Sequence, residues 1–471
     1  MRAIKFGVNG WFDRFDCAFD EEGVSSVAAA LARRWVEQGA VGPIYVGFDG
    51  RQKSSGLAAV AGEVLSGAGL VTTVLERPCC AGALGMAVAT DADSPGGVML
   101  SGSDAPGPYC GLFVRGADGG SVSARFAADV DQLAGIISAE RRAPFRSYDV
   151  TDAYRRWLLA ALDPSRPGWG LSVVIDALHG VGARPLAEIL EGLGCSVSLL
   201  HEEPRADFGG LRPQPSGPWA NECTAAVARQ GADLGIVLDG DAMRSALVDE
   251  RGRLVPPQQL VALVMGHLVR DRGMSGRVAS TLASSALVRL EAEDLGLEVT
   301  SVPVGFERLH DEIAEGDVLL ACDEFGGVSV PQHLHERDGV LSALLAVEAL
   351  VFAGPRASVS QLLTRMEERL GRMEYGRRSV PMKPGDLDAL STVLPGLNPG
   401  RIAGAEPCMV SHADGLKLEF DDDSWLMMRP SRTLSLVRVY AEAHSPRRRD
   451  ELLKSGADFV RGGYLGQLRT T

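Results

Sequence analysis

Four short loops carry residues whose types and spacing could handle a phosphorylated ligand. Asp239-Gly240-Asp241-Ala242-Met243-Arg244 sets two carboxylates two positions apart, so both can turn oxygens toward one hard cation, with Arg244 close behind. Ser101-Gly102-Ser103-Asp104-Ala105-Pro106 offers a hydroxyl at Ser103, a weak nucleophile that needs a nearby cation and a base. Arg429-Pro430-Ser431-Arg432-Thr433, with Arg438 downstream, alternates hydroxyls and guanidinium groups, which suit phosphate oxygens through charge-assisted hydrogen bonds. Asp323-Glu324-Phe325-Gly326-Gly327 adds two adjacent acids ahead of paired glycines. The plainer reading of each is a polar strand-end turn.

The elements that must position these loops follow a regular pattern. Short apolar runs end in Asp or Gly at Ile44–Asp49, Gly97–Gly102, Val173–Asp176, Leu234–Asp239 and Val318–Asp323. Helical patterns fall between them at Leu57–Ala68, Pro185–Leu193, Gln258–Arg270 and Gly339–Phe352. That alternation is the βαβ signature of parallel sheets, in which ligands bind beyond the carboxyl ends of the strands. Toward the C-terminus, Leu416–Phe420, Trp425–Met428 and Val437–Ala441 are closely spaced strand-like runs before a helix near Pro446, an α+β pattern.

A chain of 471 residues calls for several compact units with ample core. Charged or turn-rich stretches at 140–144, 249–257 and 367–383 divide it into segments 1–145, 146–253, 254–374 and 375–471. The formal net charge of −14 opposes attraction to nucleic acid or an anionic membrane, so an anionic ligand must be held by local cations. The eight cysteines are scattered without framework spacing and are expected to be reduced core thiols of a cytoplasmic protein. No apolar run approaches the roughly 20 residues a membrane span needs.

Taken in order, the loops resemble those of the α-D-phosphohexomutases. Ser101–Pro106 with Tyr109-Cys110-Gly111 resembles the phosphoserine loop, and Asp239–Arg244 the metal loop. Asp323–Gly327 with Arg337-Asp338-Gly339 resembles the sugar-selecting loop, and Arg429–Thr433 with Arg438 the phosphate-binding loop. Gly7–Trp11, Asp49-x-Arg51, His179-Gly180 and Val304-Gly305-Phe306 also align, so the resemblance spans nearly the whole chain. It implies three α/β/α domains with mixed, mainly parallel sheets plus a C-terminal α+β domain, around a central cleft.

It further implies transfer of a phosphoryl group between the 1- and 6-positions of a hexose phosphate, through a bisphosphate and a phosphoserine at Ser103. Mg2+ would sit on Ser103, Asp239 and Asp241, with Arg244 also catalytic. Asp323, Glu324, Arg429, Ser431, Thr433 and Arg438 would hold substrate; whether the chain is a monomer or dimer stays open.

The chain departs from the family pattern at chemically charged positions. Met243 replaces a third metal carboxylate, and a thioether is a poor partner for Mg2+. Asp104 and Ala105 stand where the family has His and Asn; Phe12, Phe113, Glu307 and Leu436 stand where it has cations, and Arg432 restores one. Phosphoryl transfer depends on positioning and charge stabilisation, so this count predicts weak or lost turnover, with a non-catalytic sugar-phosphate-binding or regulatory relative as the alternative. Asp104 is also a candidate for the missing metal carboxylate. A serine hydrolase is set aside because G-x-S-x-G is missing.

Overall fold

The computed structural model describes residues 4–7, 10–163, 165–166, 169–431 and 435–462. Four sheets organise them. In the first, the strands run in the order Trp11–Arg14, Tyr109–Gly116, Gly96–Ser101, Ile44–Phe48, Thr72–Leu75 and Arg146–Tyr148. Its last four strands are parallel, and Leu100 sits opposite both Phe48 and Leu112. Side chains alternate across such a sheet. Val98 and Leu100 therefore enter a core with helices Glu21–Glu37 and Ser54–Gly67, while Met99 faces the other way onto helix Ala81–Ala89.

The second sheet orders Ser245–Asp249, Leu234–Leu238, Ser172–Asp176 and Ser196–Leu200, parallel except for its first strand. The third orders Val299–Val302, Arg277–Thr281, Val318–Cys322 and Val328–Ser329, parallel except for its last. The fourth is antiparallel throughout, and helix Pro446–Val460 packs against it. The architecture is thus three α/β layers with mixed, mostly parallel sheets and a C-terminal α+β unit. One apolar core runs continuously from Leu75 and Met99 through the second sheet to Met366, whereas the fourth sheet keeps its own.

Helix starts follow the capping residues. Asp20 accepts the Gly23 amide ahead of two first-turn glutamates, and Asp338 accepts the amides of Val340 and Leu341 at the head of Gly339–Phe352. Two sequence readings need correcting. The charged stretch 367–383 holds the end of helix Val359–Leu370 and then the edge strand Glu374–Pro381 of the fourth sheet; an edge tolerates its arginines and terminal proline. Arg146–Tyr148, just past the expected division at 145, pairs with Thr72–Leu75 of the first sheet. Of the eight cysteines, Cys17 and Cys408 are exposed and the other six are buried; none is disulfide-bonded.

Candidate functional site

The strand ends converge as a parallel sheet requires. Asp49, Ser101, Asp239 and Asp323 stand at the carboxyl ends of Ile44–Phe48, Gly96–Ser101, Leu234–Leu238 and Val318–Cys322. A cavity of about 440 Å3 draws its lining from all four segments, including Phe12, Ser103, Met243, Arg244, Arg337 and Arg438.

Ser103 sits in a left-handed turn at φ 47, a costly conformation for a residue with a side chain. Arg51 holds it there. This fully buried guanidinium pairs with Asp49 at 2.9 Å and donates to the carbonyls of Ser103, Ala105, Pro106 and Tyr109 at 2.7 to 3.0 Å. Arg51, a sequence candidate, is thereby committed to the loop's backbone. Gly240 must be a glycine for a related reason: a Cβ there would lie 2.8 Å from the Ser103 carbonyl oxygen.

The Ser103 hydroxyl is bracketed by charge. It donates to Asp239 Oδ2 at 3.0 Å and accepts from Arg244 Nη1 at 3.3 Å. Arg244 also donates through its backbone amide to Asp239 Oδ1 and through its guanidinium to Asp323 Oδ2 at 3.0 Å. Asp323 accepts a further bond from Arg337 at 3.0 Å. Burial works against charge on Arg244, but Asp323, Asp104 and Asp239 outweigh it and hold its pKa above the ordinary arginine value. Burial likewise opposes ionised Asp323, yet Arg244 and Arg337 hold its carboxyl below the usual range.

Asp239 and Asp241 are differently placed. Both have no exposed surface. Burial, then the Asp241 charge, pushes Asp239 up to about 7, and burial raises Asp241 as well. Asp241 Oδ2 accepts from Ser101 at 2.6 Å, but its Oδ1 is buried and accepts no hydrogen bond among the described residues. Two buried carboxylates, one with an orphaned oxygen, beside a serine hydroxyl form an all-oxygen donor set that fits a hard divalent cation with water in its shell. Met243 lines the cavity beside them and offers no oxygen. Asp104 turns elsewhere: its carbonyl accepts from Arg212 Nε at 3.0 Å and its carboxylate lies 3.5 Å from the same guanidinium. Among the described residues, no third acid, imidazole or thiol joins Asp239 and Asp241 in a set of ligand atoms all within 4.8 Å of one another.

The other candidates separate. Glu324 is buried, accepting from Thr281 at 3.2 Å and lying 3.4 Å from the Tyr440 hydroxyl; burial and Asp323 raise its pKa. Arg429 bonds Asp414 at 2.6 Å and the Val304 carbonyl at 3.2 Å, so it joins the fourth segment to the third. The Ser431 amide donates to Leu436, Arg438 reaches Ser379 and lines the cavity, and Thr433 lies outside the described residues.

The structure also supplies cations that the sequence count missed. Arg115, Arg212 and Arg337 line the cavity, and Arg377 stacks 3.4 Å over the Phe325 ring, its pKa brought down to about 10 by burial and by Arg438. Arg212 follows no recognisable motif and Arg377 lies in the edge strand read as a boundary. Only Arg337, in Arg337-Asp338-Gly339, carried a signal.

Family models described as phosphoglucomutase/phosphomannomutase α/β/α domains I, II and III match residues 3–139, 153–252 and 256–369. A phosphoglucomutase/phosphomannomutase of Thermococcus kodakarensis is 26% identical over 424 residues, covering 86% of this chain and 89% of that protein. A probable phosphoglucosamine mutase of Methanothermobacter thermautotrophicus is 28% identical over 455 residues, 93% of each. The crystal structure of a putative phosphomannomutase from Thermus thermophilus superposes with a TM-score of 0.87 at 28% identity, covering 98% of this chain and 100% of that one.

Proposed function

The chain belongs to the phosphoglucomutase/phosphomannomutase family of α-D-phosphohexomutases, and on that premise we propose that it moves a phosphoryl group between the 1- and 6-positions of a hexose phosphate by way of Ser103. The observation that carries this reading is the Ser103 hydroxyl held between Asp239 at 3.0 Å and Arg244 at 3.3 Å at the edge of a cavity lined with arginines.

In this reading phosphorylated Ser103 gives its phosphoryl group to the free hydroxyl of the bound sugar phosphate. The P–O bond to Ser103 breaks as the bond to the sugar forms, the proton of the sugar hydroxyl passing to the serine oxygen, and the bisphosphate then returns its other phosphoryl group to Ser103 as the proton passes back. Arg244 spreads charge on the transferring group, held in place by Asp323. Asp239, Asp241 and the Ser103 oxygen would hold Mg2+, which when bound neutralises phosphate charge. Arg212, Arg337 and Arg438 receive the distal phosphate, replacing cations that the loops lack. Asp323 orients Arg244 and Arg337 toward the sugar phosphate, buried Glu324 steadies the loop behind them, and Arg429 and Ser431 place the fourth loop at the cleft.

Phe12 and Phe113 in the cavity lining favour a second reading, a sugar-phosphate-binding protein without turnover. The two separate in one experiment. Intact-mass analysis of purified protein should show phosphorylated Ser103. Assays with glucose, mannose and glucosamine 1-phosphates, Mg2+ and a bisphosphate activator should give turnover that Ser103→Ala abolishes. An unmodified serine with no turnover above that control, but with sugar-phosphate binding intact, establishes the binding protein instead.

A further inference from the structure

A second cluster of ligating side chains lies apart from the serine. Asp118 is in the turn that follows strand Tyr109–Gly116, His310 is on helix Phe306–Ala314, and His335 is in the loop ahead of Gly339–Phe352. Asp118 Oδ2 lies 2.7 Å from His310 Nε2 and 3.0 Å from His335 Nδ1, and the three ligand atoms all fall within 4.8 Å of one another. The other carboxylate oxygen accepts the Gly120 amide at 3.0 Å, which fixes the orientation of the group. Gly120 is itself dictated by the cluster, since a Cβ there would stand 2.4 Å from His310 Nε2.

We propose that Asp118, His310 and His335 bind a divalent transition ion of the Zn2+ class, with water completing its shell, and so tie the first sheet to the third. Two imidazoles and one carboxylate suit such an ion better than Mg2+, which prefers oxygen donors throughout. Tetrahedral ligation at ~2.05 Å needs donor atoms ~3.3 Å apart, a few tenths of an ångström wider than the present contacts. The partly exposed His335 and Asp118, at 34% and 37%, can make that adjustment and leave an entry path.

The site connects to the cleft through its neighbours. Glu336, next to His335, pairs with Arg115 at 2.5 Å and with Arg337 at 2.9 Å, and Arg337 reaches Asp323. An ion at the cluster would hold the loop that places Arg337, and its binding can be read without any assay of turnover.

The test uses the full chain, stripped of metal, carrying Cys17→Ser and Cys408→Ser to remove the exposed thiols, in saturating Mg2+ to occupy the aspartate pair. Calorimetric titration with Zn2+ should show one equivalent bound with micromolar or tighter affinity. His335→Gln, a mild change in a loop, and His310→Gln should each weaken it at least ~10-fold, while near-ultraviolet circular dichroism stays unchanged. X-ray absorption of the unaltered His/Asp protein should show nitrogen and oxygen ligands only. Zn2+ binding no tighter than millimolar, binding indifferent to both histidine variants, or sulfur in the shell would each overturn the proposal.

Discussion

Replacing Arg51 by Met should loosen the serine loop far more than the loss of one surface charge would. The guanidinium is wholly buried, bonds four carbonyls of the loop, neutralises Asp49 at 2.9 Å and lies 4.7 Å from the Phe208 ring centroid. Methionine keeps much of the volume and removes every donor. Asp49 would retain Ser54, Ser101 and two backbone amides as donors but lose its counter-charge. Removing one partner of a buried pair costs about 3–5 kcal/mol. At about 1.4 kcal/mol per factor of ten, amides of residues 101–110 should exchange with solvent deuterium roughly 10²- to 10⁴-fold faster, measured by mass spectrometry on peptides from that loop. Arg51→Lys should fall between the two, because an ammonium cannot span the same carbonyls. Exchange within threefold of the parent in Arg51→Met would refute the reasoning and mean that the pairing of Ser101 with Gly111 holds the loop alone.

Three further outcomes follow from the same geometry. Since burial and Asp241 raise Asp239 to about 7, the folded chain takes up a proton there that the unfolded chain releases. This group's contribution to metal-free stability therefore falls as pH rises from about 4 toward 7. Mg2+ binding should strengthen between pH 6 and 8, so the rise in melting temperature on adding Mg2+ should widen over that range; a gap independent of pH counts against Asp239 as a ligand. Met243→Asp should tighten Mg2+ binding by about tenfold by supplying an oxygen donor at the cavity wall, measured by calorimetry, and unchanged affinity would show that the two aspartates do not sit on the ion. Tyr154→Phe removes a buried hydroxyl that donates to both Asp338 oxygens at 2.9 and 3.0 Å, joining helix Thr151–Ala160 to the cap of Gly339–Phe352. It should cost about 1–3 kcal/mol, read as a lowered melting temperature, with no cost if water replaces the contact.

What the chain wrote locally could be read locally. The runs ending at Asp49, Asp239 and Asp323 are strands followed by loop acids, and helix Gly339–Phe352 begins and ends where its pattern and its Asp338 cap put it. The order of the four loops likewise led to the family and to Ser103. These features depend on periodicity, capping and neighbours a few residues away, which sequence spacing reports directly. The electrostatics did not follow from spacing. Counting cations loop by loop found losses at Phe12, Phe113 and Glu307, while folding brought Arg115, Arg212 and Arg337 to one cavity from three different segments. Asp104 read as a metal ligand until Arg212, 108 residues away, took it. Arg51 read as a site residue and proved to be the anchor of the loop. His310 and His335 meet Asp118 across 192 and 217 residues and had no motif at all. Charges pair by distance in space and by the loss of water around them, and both are set only when the sheets pack together.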